Sequence, residues 1–204
     1  PLRDVYKRQV IYTRPAYGGT ILEHIEVEGT AVVTVRNGSF PKPEATSNAD
    51  VTERKIEIPA DAIKAKIINT VKEISESVNL EEAEVIVSGG RGMGSAENFK
   101  LVEELARVLG GVVGATRPAI EDGWISRAHQ VGQSGKIVAP KLYIACGISG
   151  ATQHTSGMTG SNYIVAINKD EEAPIFEVAN VAIVGNVNEI LPIMIEEMKK
   201  AKAE

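Results

Sequence analysis

Four short stretches of this 204-residue sequence combine glycine with small hydroxyl or amide residues, and two of them add an arginine. They are Ser88–Gly94 (SGGRGMG), Gly114–Arg117 (GATR), Val131–Lys136 (VGQSGK) and Gly147–His154 (GISGATQH). Glycine lets backbone N–H groups come close to an anion, and a helix starting just beyond adds a favourable dipole. A guanidinium such as that of Arg91 or Arg117 forks onto phosphate oxygens. One polyphosphate-bearing ligand clasped by several turns is the chemistry these residues point to. The common motifs mostly fail. Gly90-x-Gly92-x-Gly94 has the wrong last spacing for a dinucleotide fingerprint. Around Gly135-Lys136, Gln130 stands where a P-loop needs Gly, and Ile137 where it needs Ser or Thr. Gly147-Ile148-Ser149-Gly150 is one residue short of a nucleophile elbow. Spacing alone therefore gives a nucleotide-like ligand of open type. A single Gly-rich turn is as readily a tight strand-to-helix connection; four together, two with arginine, favour a site.

Other reactive residue types have plainer readings. His154 reads first as a capping or packed histidine, and Trp124, the only tryptophan, as packing. Cys146, inside an apolar run, reads as inert core. Lys199, Lys200 and Lys202 oppose the dipole of a final helix without needing a partner.

The elements that must position the four turns follow from periodicity. Val85-Ile86-Val87, Val112-Val113, Leu142–Cys146, Tyr163–Ile167 and Val181–Val184 read as strands, with Ile137-Val138 as a further short one. Ile63, Ile67, Ile68, Val71 and Ile74 share a helical face, predicting a helix over Asp61–Ser77. A second begins near Ser95, with Phe99, Val102, Leu105, Ala106 and Leu109 inward and Gly110-Gly111 as its stop. The last carries Ile190, Leu191, Met194, Ile195 and Met198 on one side; Pro192 belongs in its first turn, which places the cap at Asn188. Strands alternating with helices predict an α/β fold, a doubly wound and mainly parallel sheet. Ligands of such sheets bind beyond the C-terminal strand ends, where the Gly-rich turns fall.

Upstream, residues 10–40 read as β, with the β-branched run Val32–Val35 and the turn signal Asn37-Gly38. Residues 41–60, with Pro41, Pro43 and Pro59, read as a connector. The opening nine residues, PLRDVYKRQ, resemble neither a signal nor a transit peptide and read as a foreign or truncated edge. The expected division is thus an edge at 1–9, a β remnant and linker at 10–60, and a ligand-binding domain at 61–204.

Composition narrows the function. With 43% hydrophobic and 24% charged residues the chain has ordinary globular character. A net charge of −5 without a basic run argues against nucleic acid as a partner. No apolar run approaches the roughly 18 residues of a membrane span. One cysteine and three scattered histidines do not assemble a zinc site of the usual type, which makes a metal hydrolase a poor candidate. A lone cysteine also fits a reducing compartment.

Taken as a string, LYIACGISGATQHTSGMTGSNYIVAINKD, from Leu142 to Asp170, resembles the signature of the electron transfer flavoprotein alpha subunit. The resemblance runs back through SGGRGMGSAENFKLVEELA, GATRPAIEDGW and VGQSGKIVAPKLYIA and forward through EAPIFEVANVAIVG, covering about residues 83–204. The earlier YTRPAYGG and VVTVRNGSFP resemble the end of that family's N-terminal domain. The resemblance implies FAD as cofactor and a heterodimer with a beta subunit. It implies an electron carrier, not an enzyme, taking electrons from flavoprotein dehydrogenases, as in fatty acid β-oxidation, and passing them singly to a downstream redox acceptor. The implied setting is the bacterial cytoplasm, or the mitochondrial matrix in a eukaryote. By motif, Arg91 would lie at the diphosphate and flavin side, with Thr116 and Arg117 following the second strand. Val131, Gly132, Gln133 and Ser134 would form the loop against the isoalloxazine, with Ser134 near N5. Ser149, Gly150, Ala151, Thr152, Gln153 and His154 would wrap the cofactor, with His154 directed at the O2 region. Asn168, Asn186 and Val187 would sit toward the adenosine end. One-electron reduction leaves negative charge around flavin N1–C2=O2, so Arg117 and a protonated His154 would favour it. Ser134 stands where that family often has Thr, and Asn186 where it often has Asp. The rival reading is an NAD- or flavin-dependent oxidoreductase of small molecules on a related fold; it predicts turnover without a protein acceptor.

Overall fold

A computed structural model describes residues 4–5, 9–16, 21–35, 39–40, 52–56, 59, 68 and 79–202. Upstream, β1 (Asp4–Val5), β2 (Gln9–Ala16) and β3 (Ile21–Val27) form an antiparallel sheet in that order. The β2–β3 ladder runs from Val10 opposite Val27 to Ala16 opposite Ile21. Facing pairs reinforce it: Arg14 Nε donates to Glu23 at 2.7 Å, and Thr13 meets His24 at 3.0 Å. The β reading of residues 10–40 holds for these strands but not for Val32–Val35, an exposed stretch outside any strand. β-branched side chains favour a ladder but do not supply one, and among the described residues no strand lies alongside. Of the predicted helix over Asp61–Ser77 only Ile68 is described, and it is exposed and outside any helix; the turn at Asn37-Gly38 and most of the connector fall outside the described residues.

Downstream lies a five-stranded parallel sheet of β4 (Val85–Gly89), β5 (Val112–Ala115), β6 (Leu142–Cys146), β7 (Tyr163–Asn168) and β8 (Val181–Val184). Its order is β5-β4-β6-β7-β8, so the winding reverses between β4 and β6. Such a reversal leaves a crevice at the carboxyl ends of the two strands. The apolar runs read from the sequence are these strands, except Ile137-Val138. That pair is extended but outside the sheet; Val138 N donates at 2.8 Å to the Gly157 carbonyl, in the segment after a short helix.

One sheet face, with Val87, Ile144, Cys146 and Ile167, is covered by two long helices. α1 (Ala96–Leu109) starts where Ser95 Oγ accepts from Asn98 N at 3.2 Å and buries Phe99, Val102, Leu105 and Ala106 at helical spacing. It stops at Gly110, which adopts φ 72° and donates to the carbonyls of Ala106 and Arg107. Trp124 packs with Phe99 at a ring-centroid distance of 6.3 Å, as a core residue.

Two shorter helices, α2 (Arg117–Glu121) and α3 (Thr152–Thr155), follow β5 and β6. The last helix, α4 (Val187–Ala201), packs on α1 through Leu191 and Ile195. Lys199 spans to Glu104 at 2.7 Å, and that hydrogen bond holds the Glu104 carboxyl below its usual range. The cap of α4 is Asn186 rather than Asn188: Asn186 Oδ1 accepts from Asn188 N at 3.1 Å. Starting there brings Val187 into the core as the first helical residue and makes Pro192 the sixth, past the first turn. Proline has no N–H for the carbonyl four residues back, so the apolar stripe overrides its preference for the first turn.

The opposite sheet face, with Ile86, Tyr143, Ala145, Ile164 and Ala166, packs beneath Leu80, Val131, Val138, Met158 and Ile175. These come from connecting segments, which are therefore part of the core.

Candidate ligand cleft at the strand switch

β4 and β6 lie side by side, and their turns leave the sheet together. Backbone bonds stitch them: Gly90 N donates to Cys146 O and Gly92 N to Gly147 O, both at 2.9 Å. The approach requires glycine, because a Cβ on Gly92 would stand 2.6 Å from the Gly147 oxygen. Arg91 is exposed at the tip of this turn, while Met93 behind it is fully buried. The Met93 carbonyl accepts from Asn98 Nδ2 at 2.9 Å and, at 3.4 Å, from Asn188 Nδ2. Both long helices thus anchor the turn that carries Arg91.

From β5 the chain enters Thr116 and α2. Thr116 is 7% exposed, and its hydroxyl has no hydrogen-bond partner within the protein although it borders an open cleft. A buried polar atom without a protein partner is left for water or a ligand. Arg117 projects from the same turn, and its Nε donates to Glu121 at 2.7 Å. The loop that follows folds back on the sheet: Val131 N donates to Ala115 O at 3.0 Å, and Gln130 Nε2 to Ser134 Oγ at 2.8 Å. Its tip is tied to α3 by Gln133 N, which donates to the Gln153 carbonyl at 2.7 Å.

These turns enclose a cleft of about 820 Å³. It brings together Arg91, Thr116, Arg117, Val131, Gly132, Gln133, Ser134, Ser149, Ala151, Gln153, His154 and Asn168 of the residues singled out from the sequence. It does not include Gly150, Thr152, Asn186 or Val187. Asn186 is instead the α4 cap, its amide donating to Glu189 at 2.9 Å, and Val187 is core. Asn168 lines the cleft while holding the neighbouring turn, its Nδ2 donating to the Ile148 carbonyl at 2.8 Å. Gln130, Pro118, Lys169, Asp170 and Pro174 also line it and were not singled out. Lys169 and Asp170 immediately follow β7, so the strand-end rule alone would have flagged them.

His154 is a packed histidine, as its first reading had it. It is 7% exposed, with Nδ1 3.1 Å from the Val131 carbonyl and Nε2 3.0 Å from the Tyr143 hydroxyl. Burial pulls its pKa down to about 4, against the opposing pull of the Val131 carbonyl, so the ring is neutral at pH 7. The positive charge lining this cleft comes from Arg91, Arg117 and Lys169. Cys146 is fully buried, its thiol pushed up to about 12 by burial, as its core reading required.

A parallel sheet with a phosphate-suited cleft at its winding reversal defines a nucleotide-binding domain. Comparison with known proteins gives the particular kind. Residues 79–159 match the family described as the electron transfer flavoprotein FAD-binding domain. Over 205 residues the chain is 49% identical to the electron transfer flavoprotein subunit alpha of Megasphaera elsdenii, covering 98% of this chain and 61% of that protein. It is 48% identical over 197 residues to the subunit of that name from Thermoanaerobacterium thermosaccharolyticum, covering 95% and 60%. A mitochondrial subunit alpha from Arabidopsis thaliana is 40% identical over 213 residues, covering 99% and 59%. The chain is similar to electron transfer flavoprotein alpha subunits over nearly its whole length, and the domain family matched at 79–159 binds FAD. It spans about 60% of the length of these relatives. Among the described residues, no helix is long and apolar enough to cross a membrane.

Proposed function

We propose that this chain holds FAD in the switch-point cleft and serves as the alpha side of an electron carrier, paired with a beta subunit. In this reading it draws electrons from flavoprotein dehydrogenases and delivers them singly to a redox acceptor, in a bacterial cytoplasm or a mitochondrial matrix. The carrying observation is the convergence of four turns on one cleft with an unpaired, buried Thr116 hydroxyl at its wall. The residues fit the cofactor: backbone amides and Arg91 suit a diphosphate, and Thr116 supplies a waiting hydroxyl. When bound, FAD supplies reversible electron transfer through its ring system. The chain's own part is to bind, orient and charge the site. Arg117 sets a cation at the cleft, Gln133 and Ser134 form a wall whose position is fixed by Gln153 and Gln130, and Asn168 keeps the β7 end in register.

A carrier's work is to hold a cofactor at a suitable potential, which needs no acid–base pair. The division into a remnant at 10–60 and a cofactor domain at 61–204 is part of the same proposal; the family match at 79–159 supports its second half. The test is reconstitution. The chain, alone and with its beta partner, is incubated with FAD, desalted and read by visible absorbance. Flavin retained in preference to other adenine nucleotides supports the reading. No flavin retained by the complex, with equal binding of plain adenine nucleotides, overturns it.

A further inference from the structure

Among the described residues, β5 is an edge of the parallel sheet, with no further strand beyond it. On such an edge the carbonyls of alternate residues face outward and need other partners. Ala115 and Val113 carry two of them. The Ala115 carbonyl accepts from Val131 N at 3.0 Å, a rung supplied by the backbone of the loop returning from α2. The Val113 carbonyl accepts instead from a side chain, His129 Nδ1, at 2.7 Å. A carbonyl only accepts, so Nδ1 carries the proton. His129 ends a short 3-10 turn, Arg127–His129, in which Arg127 is exposed and the histidine half-buried. That turn uses its own N–H groups internally: His129 N donates to Ser126 O and Gln130 N to Arg127 O, both at 3.1 Å. The ring therefore does what the backbone there is not free to do. Directly after it come Gln130 to Ser134, which wall the cleft. The far side of this wall is tied to α3 through Gln133 N.

We propose that His129 is a positioning residue of the cleft: its imidazole stands in for a missing β rung and fixes where the Gln130–Ser134 wall leaves the sheet edge. The backbone pairing on this edge is a single bridge, Ala115 beside Gln130. One rung lets a segment swivel about it, whereas two rungs on alternate residues of β5 set both its place and its direction. A ligand then meets a wall already in position, and the cost of ordering a loop on binding is spared. What this means for FAD rests on the reading above; the register of the wall on β5 does not.

The test is amide hydrogen exchange of the ligand-free chain, followed residue by residue by NMR, with FAD affinity measured beside it. In His129→Ala the Val131 and Gln133 amides should exchange about tenfold faster, as the loss of one hydrogen bond allows, and FAD should bind about tenfold more weakly. His129→Asn carries an N–H donor on Cγ, as the imidazole carries Nδ1, and should restore both. A histidine that only added to overall stability would speed the amides that open by global unfolding and leave the wall's own opening unmoved. Unchanged exchange at Val131 and Gln133, or faster exchange that His129→Asn leaves uncorrected, overturns the proposal. Faster exchange with unchanged FAD affinity overturns it as well. Should His129→Ala not fold, the native chain decides: its His129 Nδ1 must hold a slowly exchanging proton bonded to Val113, and a bare Nδ1 overturns the proposal. If the native chain holds no FAD, the FAD reading fails and the exchange rates alone judge the role of His129.

Discussion

The burial of His154 makes acid stability a quantitative test. The ring's proton affinity falls from the ordinary 6.5 to about 4 in the fold, with burial the largest cause. For a base whose folded value is depressed, the unfolded chain binds protons more readily between the two values. Stability is then fully present above the unfolded value and is lost as the pH falls toward the folded one. With these two values, linkage gives a loss of about 2 kcal/mol between pH 7 and pH 5, approaching roughly 3 kcal/mol below the folded value. The comparison is native chain against His154→Gln, which cannot titrate there. Urea unfolding at pH 7, 6 and 5, followed by the fluorescence of Trp124, reports on the parallel-sheet domain because that residue packs into its core. Carboxylates and the other histidines act alike in both proteins and cancel in the difference. The variant starts less stable, yet its decline should be shallower by about 2 kcal/mol. Equal declines would refute the neutral, buried ring and everything built on it.

Other consequences follow from the same geometry. Gly132 adopts φ 136°, and a Cβ there would stand 2.6 Å from the Gln153 carbonyl oxygen; Gly132→Ala should cost about 2 to 3 kcal/mol in urea unfolding and weaken FAD retention at least about tenfold. Arg117→Ala should lower the first reduction potential of bound flavin by on the order of 60 mV, measured by spectroelectrochemistry, tenfold for one electron; no change would remove Arg117 from the electrostatics. Ser95→Ala removes the α1 cap and should lower stability by about 1 kcal/mol. Cys146 should resist a thiol reagent in the native chain and react on unfolding, since its thiol is buried and pushed up to about 12.

The parts of this molecule that could be read in advance are those where one local pattern settles the outcome. β4 and β6 are short apolar runs closed by glycine, and α1 has its cap, stripe and stop all written locally. The gathering of the glycine-rich turns at the strand ends was legible for the same reason, since those after β4, β5 and β6 each close an apolar strand run. What could not be read depends on distant partners. Ile137-Val138 has the composition of a strand, but its hydrogen bond goes to Gly157. Pro192 signals a first turn, yet the contacts of Val187, Leu191 and Ile195 with the core pull the helix start back to Asn186. His154 was placed near the cofactor by its neighbours in sequence, but its charge state is set by burial, in a packing where its ring nitrogens meet Tyr143 and Val131, eleven and twenty-three residues earlier. Asn186 caps α4 and Val187 packs into the core, roles set by where that helix starts.

The tether on the Arg91 turn has a consequence in time. One of the two amides held by the Met93 carbonyl, that of Asn188, arrives ninety-five residues after it. During synthesis the glycine turn, β4 and α1 leave the ribosome long before α4 can dock and lock them. The turn that carries Arg91 therefore lacks one of its two tethers until the whole sheet has been made.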